Sequence, residues 1–354
     1  MPFGIFVPPV IDSSHLIKAA EDIGYGRAWM YDTPMLNSEL FVSLTAAVLR
    51  TSKIRIAPGV MIPGNRIAPV AASGLATLNA LAPARIDWGM GTGFTARRTL
   101  GQRPVKLADL EEYVRVVRGL LAGETLEWEF EAKRRKIRFL DPHIGAVNIK
   151  DPISLHISAF GPKAREMVAR VGAGLIDAPH NLEHGRANIA HMKKAWVDAG
   201  RDLKDLKVTA AIPGCVLQDG EAYDSPRVKS QTGPHATIAL HSLIEAEEFG
   251  DIGRAPPPFL KPTLDQYREI YKRYKPADAR YLSNHRGHLM FLRPEEEALC
   301  SGDFIKAATW TATKPELIER MRELKAIGYE YLCVEMGYKH PEKLREWAEV
   351  FEAV

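Results

Sequence analysis

Apolar residues recur in two rhythms along this chain. Stretches with apolar positions three and four apart alternate with short continuous apolar runs. Leu16, Ala19, Ala20 and Ile23 share one helical face near the start, and Leu317, Met321, Leu324 and Ile327 share one near the end. Each of these helices stops at a glycine, Gly24 or Gly328, where a left-handed cap is expected. Each then leads into a buried strand, one running up to Asp32 and the other up to Met336. Thr313 and Glu316 stand at capping-box spacing before the last helix.

The helix–strand unit recurs. Residues 75–81 lead into a run at 84–88, and 164–171 pass through Gly172 into Gly174–Asp177. Further strand-like runs occupy Phe3–Val7, 54–60, 153–158 and 208–216. Strands that alternate with helices form a parallel sheet. Eight such units predict an α/β chain closed into a (β/α)8 TIM barrel, with an open doubly wound sheet as the other arrangement. The pattern reads as a single domain over 1–354, carrying insertions. One excursion spans 94–108, and a long one spans about 218–285 between the seventh and eighth strands. The long one contains Ala255-Pro256-Pro257-Pro258-Phe259 and a helix-like stretch at 264–274. Insertions of this length serve as lids or as contacts between subunits, and the pattern leaves both open.

Composition adds exclusions. The chain is 46% hydrophobic and 26% charged with a formal net charge of +3, an ordinary globular balance. Lys133-Arg134-Arg135-Lys136 is the one dense basic cluster and reads as a solvated hairpin or loop, so no nucleic-acid partner is expected. No apolar run reaches membrane-spanning length, and no secretory signal opens the chain, which makes the cytoplasm the expected location. Cys215, Cys300 and Cys333 lie far apart without metal spacing.

A barrel places its ligand site at the C-terminal ends of the strands. The most informative of these ends is Ala84-Arg85-Ile86-Asp87-Trp88-Gly89-Met90-Gly91-Thr92-Gly93-Phe94, where an apolar run opens into alternating glycines. Bare backbone lets a flat ring or a phosphate approach the main chain. Ser158 with Gly161, Pro162 and Lys163 stands at another strand end and begins a helix, whose free N–H groups suit an anion. Asp32 ends the second strand, where a carboxylate can act as a base, and Thr33 beside it offers a hydroxyl. His180 opens an H-x-x-E-H sequence, but it directly follows a strand and Pro179, so no metal is expected there. His180 alone can still face a cofactor. His285 and His288, in Asn284-His285-Arg286-Gly287-His288, suit proton transfer or anion binding.

Arg85-Ile86-Asp87-Trp88-Gly89-Met90-Gly91-Thr92-Gly93, a helix at 107–123, Ile157-Ser158-Ala159-Phe160-Gly161-Pro162-Lys163-Ala164 and Ala173-Gly174-Leu175-Ile176-Asp177, in that order, resemble the bacterial luciferase-like superfamily. The length and the pattern Thr311-Ala312-Thr313-Lys314-Pro315-Glu316 are most similar to its methylenetetrahydromethanopterin-reductase-like branch. The resemblance implies a flavin or deazaflavin across the barrel mouth. Gly91, Thr92 and Gly93 would contact it, and Ser158, Gly161, Pro162 and Lys163 would complete the phosphate cradle. Gly59, Val60 and Met61 would lie behind the ring, with a non-prolyl cis peptide at Gly59–Val60.

Two outcomes follow from the cofactor. With reduced FMN and O2 the chain would be a monooxygenase acting on a small organic substrate, supplied by a separate flavin reductase. This is the reading taken first. With coenzyme F420 it would be a reductase or dehydrogenase that passes a hydride. A non-catalytic flavin-binding protein is the third reading, and a homodimer is implied throughout. Sugar-phosphate dehydrogenases of the superfamily carry a histidine after the second-strand aspartate and a glutamate after Gly-Thr-Gly. This chain has Thr33 and Phe94 there, so glucose 6-phosphate oxidation is not implied.

Overall fold

The computed structural model describes residues 3–249 and 258–354. Residues 255–257 of the proline-rich stretch lie outside the described residues.

Eight parallel strands form one sheet: β1 (Phe3–Val7), β2 (Arg27–Met30), β3 (Arg55–Pro58), β4 (Asp87–Met90), β5 (Ser154–Ser158), β6 (Gly174–Asp177), β7 (Val208–Ile212) and β8 (Tyr331–Glu335). Their order is β3-β2-β1-β8-β7-β6-β5-β4. Parallel bridges at Ile56–Ile86 and Met61–Met90 join β3 to β4 and close the barrel. The fold is therefore the (β/α)8 TIM barrel, and the open doubly wound sheet is ruled out.

The helices cover the barrel because each presents one apolar stripe. Ser13–Ile23 buries Ile17 and Ala20, and Lys314–Ile327 buries Leu317, Met321, Leu324 and Ile327. The capping box is present, with the Thr313 N–H donating to Glu316 Oε2 at 3.0 Å. Thr313→Ala is expected to lower stability by about 1 kcal/mol in urea unfolding, the usual worth of such a cap.

Inside the barrel, alternate residues stack in layers, as strand geometry requires. Along β2 and just past its end these are Arg27 at the floor, Trp29 in the middle and Tyr31 at the mouth. On β8 they are Tyr331, Cys333 and Glu335. Phe6, Trp29, Tyr31, Ala57, Ile176, Ala211 and Cys333 form the central cluster. At the floor, Asp87 takes Arg55 Nε at 3.0 Å and Nη2 at 2.6 Å, with Arg27 Nε at 3.4 Å. This buried ion cluster explains a carboxylate within an otherwise apolar strand. β4 starts at Asp87, three residues after the expected 84, because residues 82–85 form a turn, with Arg85 N–H donating to Ala82 O at 3.1 Å and Ala84 at φ 59°.

The segment 133–136 forms an exposed antiparallel hairpin, Leu126–Phe130 with Lys133–Ile137. The expected seventh strand at 208–216 divides into β7 and a short pair, Val216–Leu217 with Ala312–Thr313. Between that pair lie helices Pro226–Ala236, Ile238–Glu248, Lys261–Tyr271 and Gly302–Ala308, so helical structure continues past residue 285. They pack around a second apolar cluster that includes Val228, Leu240, Leu264, Tyr267, Cys300 and Phe304. All three cysteines are buried and unpaired. No described helix is long and apolar enough to cross a membrane.

Candidate active site

The two glycine-bearing openings meet on one rim. Met90 and Ile157 are paired in register, so β4 and β5 end side by side. A Cβ built on Gly91 would lie 2.7 Å from Val60 Cγ2 and 3.7 Å from Ser158 Cβ. Any side chain at Gly91 would therefore fill the space between the β3 end and the β5 end. Gly93 adopts φ 79°, and a Cβ there would run into Ile62 and Arg97, so this turn requires glycine.

The Gly59–Val60 peptide is cis. Buried Met61 donates its N–H to Gly89 O at 2.9 Å and accepts from Gly91 N at 3.1 Å, which ties the β3 end to the glycine rim. Beyond Ser158, Gly161 is the N-cap of the helix Pro162–Val171. Nothing lies within 4 Å of a Cβ built on Gly161, so the helix start is open. Pro162 and Lys163 are exposed there. A rim of bare backbone facing an open helix N-terminus has the form of a cradle for a flat ring with an anionic tail.

Asp32 is buried and fully engaged. Its carboxylate accepts from Ile62 N at 3.2 Å, Asn65 Nδ2 at 3.0 Å and Arg66 Nη1 at 2.9 Å. It thereby pins the loop after β3. Thr33 is buried beside it, and its carbonyl accepts from the N–H groups of Leu36 and Asn37. His180 lies exposed at the β6 end with its ring stacked 3.8 Å from that of His184. His285 and His288 do not line the mouth directly. They are buried with His241 behind the turn that follows Gly93. His288 Nε2 is 2.8 Å from Thr95 Oγ1, and the His285 ring meets Phe94 edge-on at 5.8 Å.

Glu335, at the end of β8, is a group the sequence reading missed. Its side chain is 14% exposed, with Oε2 3.7 Å from His235 Nε2. Burial pushes its carboxyl up to about 7, and nearby Lys343 partly opposes the shift. Burial also pulls the Lys343 ammonium down to about 8 and holds His235 well below the usual imidazole range. Tyr31 OH and both His235 ring nitrogens are buried without hydrogen-bond partners among the described residues. The other buried barrel carboxylates are engaged: Asp87 by arginines, and Asp177 by Asn188 and Tyr329 OH, the latter at 2.6 Å. The one available signal for Glu335 was a lone glutamate closing an apolar strand.

The model of the luciferase-like monooxygenase family matches residues 1–331. The 5,10-methylenetetrahydromethanopterin reductase of Methanolobus tindarius is 31% identical over 218 residues, covering 59% of this chain and 64% of that enzyme. The chain thus matches under two thirds of that relative's length. An F420-dependent glucose-6-phosphate dehydrogenase of Beutenbergia cavernae is 29% identical over 145 residues, 38% of this chain and 40% of that enzyme. Among solved structures, the coenzyme F420-dependent tetrahydromethanopterin reductase of Methanopyrus kandleri superposes with a TM-score of 0.69 at 21% identity. That superposition covers 99% of this chain and 97% of the other.

Proposed function

Because the chain belongs to the luciferase-like monooxygenase family, we propose that it is an F420-dependent reductase or dehydrogenase acting on a small organic substrate. Its relatives favour this hydride-transfer alternative over the monooxygenase reading taken first from the sequence. The observation that carries the proposal is the shared rim: a Cβ built on Gly91 would lie 3.7 Å from Ser158 Cβ, beside the open start of Pro162–Val171.

In this reading Gly91, Thr92, Gly93 and Ser158 bound the ring, with Gly59, Val60 and Met61 behind it. The helix start at Gly161 and Pro162, with the Lys163 ammonium, holds the phosphate. When bound, F420 supplies a carbon that donates or accepts a hydride. The chain's own residues supply position and proton handling. Asp32 acts as a positioning residue, because Ile62, Asn65 and Arg66 take up its oxygens. Glu335 gives or takes the substrate proton at its carboxyl oxygen, with Tyr31 OH as a second hydrogen-bonding group. Trp29 and Phe6 keep water out of the space below. His180 lies at the rim and contacts the outer part of a ligand. His285 and His288 support the Phe94–Thr95 turn. A separate flavin reductase has no place in hydride transfer. Exposed Met35, Val42, Leu49 and Val70 would be covered in a homodimer, which light scattering checks.

The test is spectroscopic. The purified chain, given F420 and a panel of small alcohols, should reduce F420 without consuming oxygen. Oxygen uptake with reduced FMN and no turnover of F420 would sink the proposal.

A further inference from the structure

Three histidines brought together by the segment between β7 and β8 touch neither substrate nor cofactor in the hydride-transfer reading. We propose that His241, His285 and His288 form a binding site for a divalent transition metal of the zinc type. One ring nitrogen from each lies within 4.8 Å of the others, and all three residues are buried. His241 Nδ1 and His288 Nδ1 stand 3.1 Å apart. Two nitrogens bound at ~2.1 Å to one tetrahedral metal stand about 3.4 Å apart, so this pair needs almost no adjustment. The third donor, on His285, lies within 4.8 Å of the other two and has to move closer to complete the set.

The far side of two of the rings is anchored by a hydrogen bond, and that of the third faces a carboxylate. His241 Nε2 lies 2.6 Å from Glu296 Oε1, His288 Nε2 lies 2.8 Å from Thr95 Oγ1, and His285 Nε2 lies 2.9 Å from Glu245 Oε1. Metal-bound histidines are held in this way, with the outer nitrogen on a carboxylate or hydroxyl that fixes ring orientation and raises ligand basicity. Both His285 ring nitrogens are buried without a hydrogen bond, the Nε2–Glu245 contact being one of distance alone. A buried polar atom with nothing to bind costs free energy, and a metal ion removes that cost.

The donor set selects the class of ion. Three imidazoles without a thiolate or carboxylate suit Zn(II), Co(II), Ni(II) or Cu(II), and not Mg(II) or Ca(II), which take oxygen ligands. Glu245 lies 3.6 Å from Arg98 Nε, and Glu296 is paired with Arg293. These charges nearly balance, so affinity comes from the imidazole lone pairs, with water or a small anion in the fourth position. The bound ion would join the helix Ile238–Glu248 to the 285–288 segment and, through Thr95, to the turn after Gly93. This inference does not depend on which cofactor the mouth holds.

The test uses the full chain, stripped with a chelator and then titrated with Co(II) and Zn(II). One Co(II) per chain with visible d–d absorption, and a thermal midpoint raised by Zn(II), are expected. H288Q should lose this binding, and E296Q, which disturbs the anchor of His241 together with the Arg293 pair, should weaken it about 10- to 100-fold. Wild-type protein that holds no Co(II) above the blank and is not stabilised by Zn(II) overturns the proposal, and the cluster is then a hydrogen-bonded core. Unchanged binding in H288Q also overturns it by placing the metal elsewhere.

Discussion

Gly161→Asp is expected to weaken F420 binding by about two orders of magnitude while stability stays level or rises slightly. Gly161 has extended backbone, φ −107° and ψ 160°, and a Cβ there meets nothing within 4 Å. The new side chain therefore strains no neighbour. Aspartate is also among the preferred N-caps, so it takes the free amides that a phosphate would otherwise use. Like charges about 5 Å apart at an effective dielectric of ~20 repel by about 3 kcal/mol, which corresponds to about a hundredfold in affinity. Gly93 is a poorer site for this experiment. Its positive φ and its crowding by Ile62 and Arg97 would confound lost binding with a distorted turn. Fluorescence titration beside a thermal melt separates the two effects. Unchanged affinity would show that the helix start serves only the fold.

Glu335→Gln should lower turnover by roughly 10²- to 10³-fold with cofactor affinity unchanged, the range for removal of a general acid or base. The pH dependence carries the sign. Glu335 titrates near 7 because of burial, with His235, Tyr31 and Lys343 as its polar surroundings. Oxidation of an alcohol needs the carboxylate, so kcat should rise with pH through about 7. Carbonyl reduction needs the acid, so kcat should fall across the same interval. Both limbs should vanish in the glutamine variant. Stability gives a second readout. The folded-state pKa is raised from 4.5 to about 7, so the native state binds more protons than the unfolded chain between those values. Stability therefore falls as pH rises through that window, and E335Q should be more stable than wild type at pH ~8 by up to ~2–3 kcal/mol. A variant with wild-type turnover removes Glu335 from the chemistry.

Local signals were legible in the sequence. Helical stripes, glycine stops and apolar runs depend on near neighbours, and they predicted the barrel, the capping box at Thr313 and the bounds of β1 and β6. The meeting of Gly91 with Ser158 followed from topology, because strand ends of a barrel share one face. Features made by distant partners were not legible. Asp87 looked out of place until Arg27 and Arg55 closed on it from two other strands. Asp32 reads as a base in the sequence because nothing there shows Asn65 and Arg66 reaching it from the loop after β3. Glu335 gained its character from burial opposite Tyr31, some 300 residues away in sequence, and from His235 on a helix of the long insertion. His241 sits on a helix with no motif, and only the fold brings it to His285 and His288.

The anionic cradle is tested most directly by titrating the wild-type chain with F420 and with the same deazaflavin chromophore lacking its phosphate. Tight 1:1 binding of F420, with affinity about a hundredfold lower for the phosphate-free ring, is the predicted result. Equal affinity for the two, or binding of neither, would contradict it.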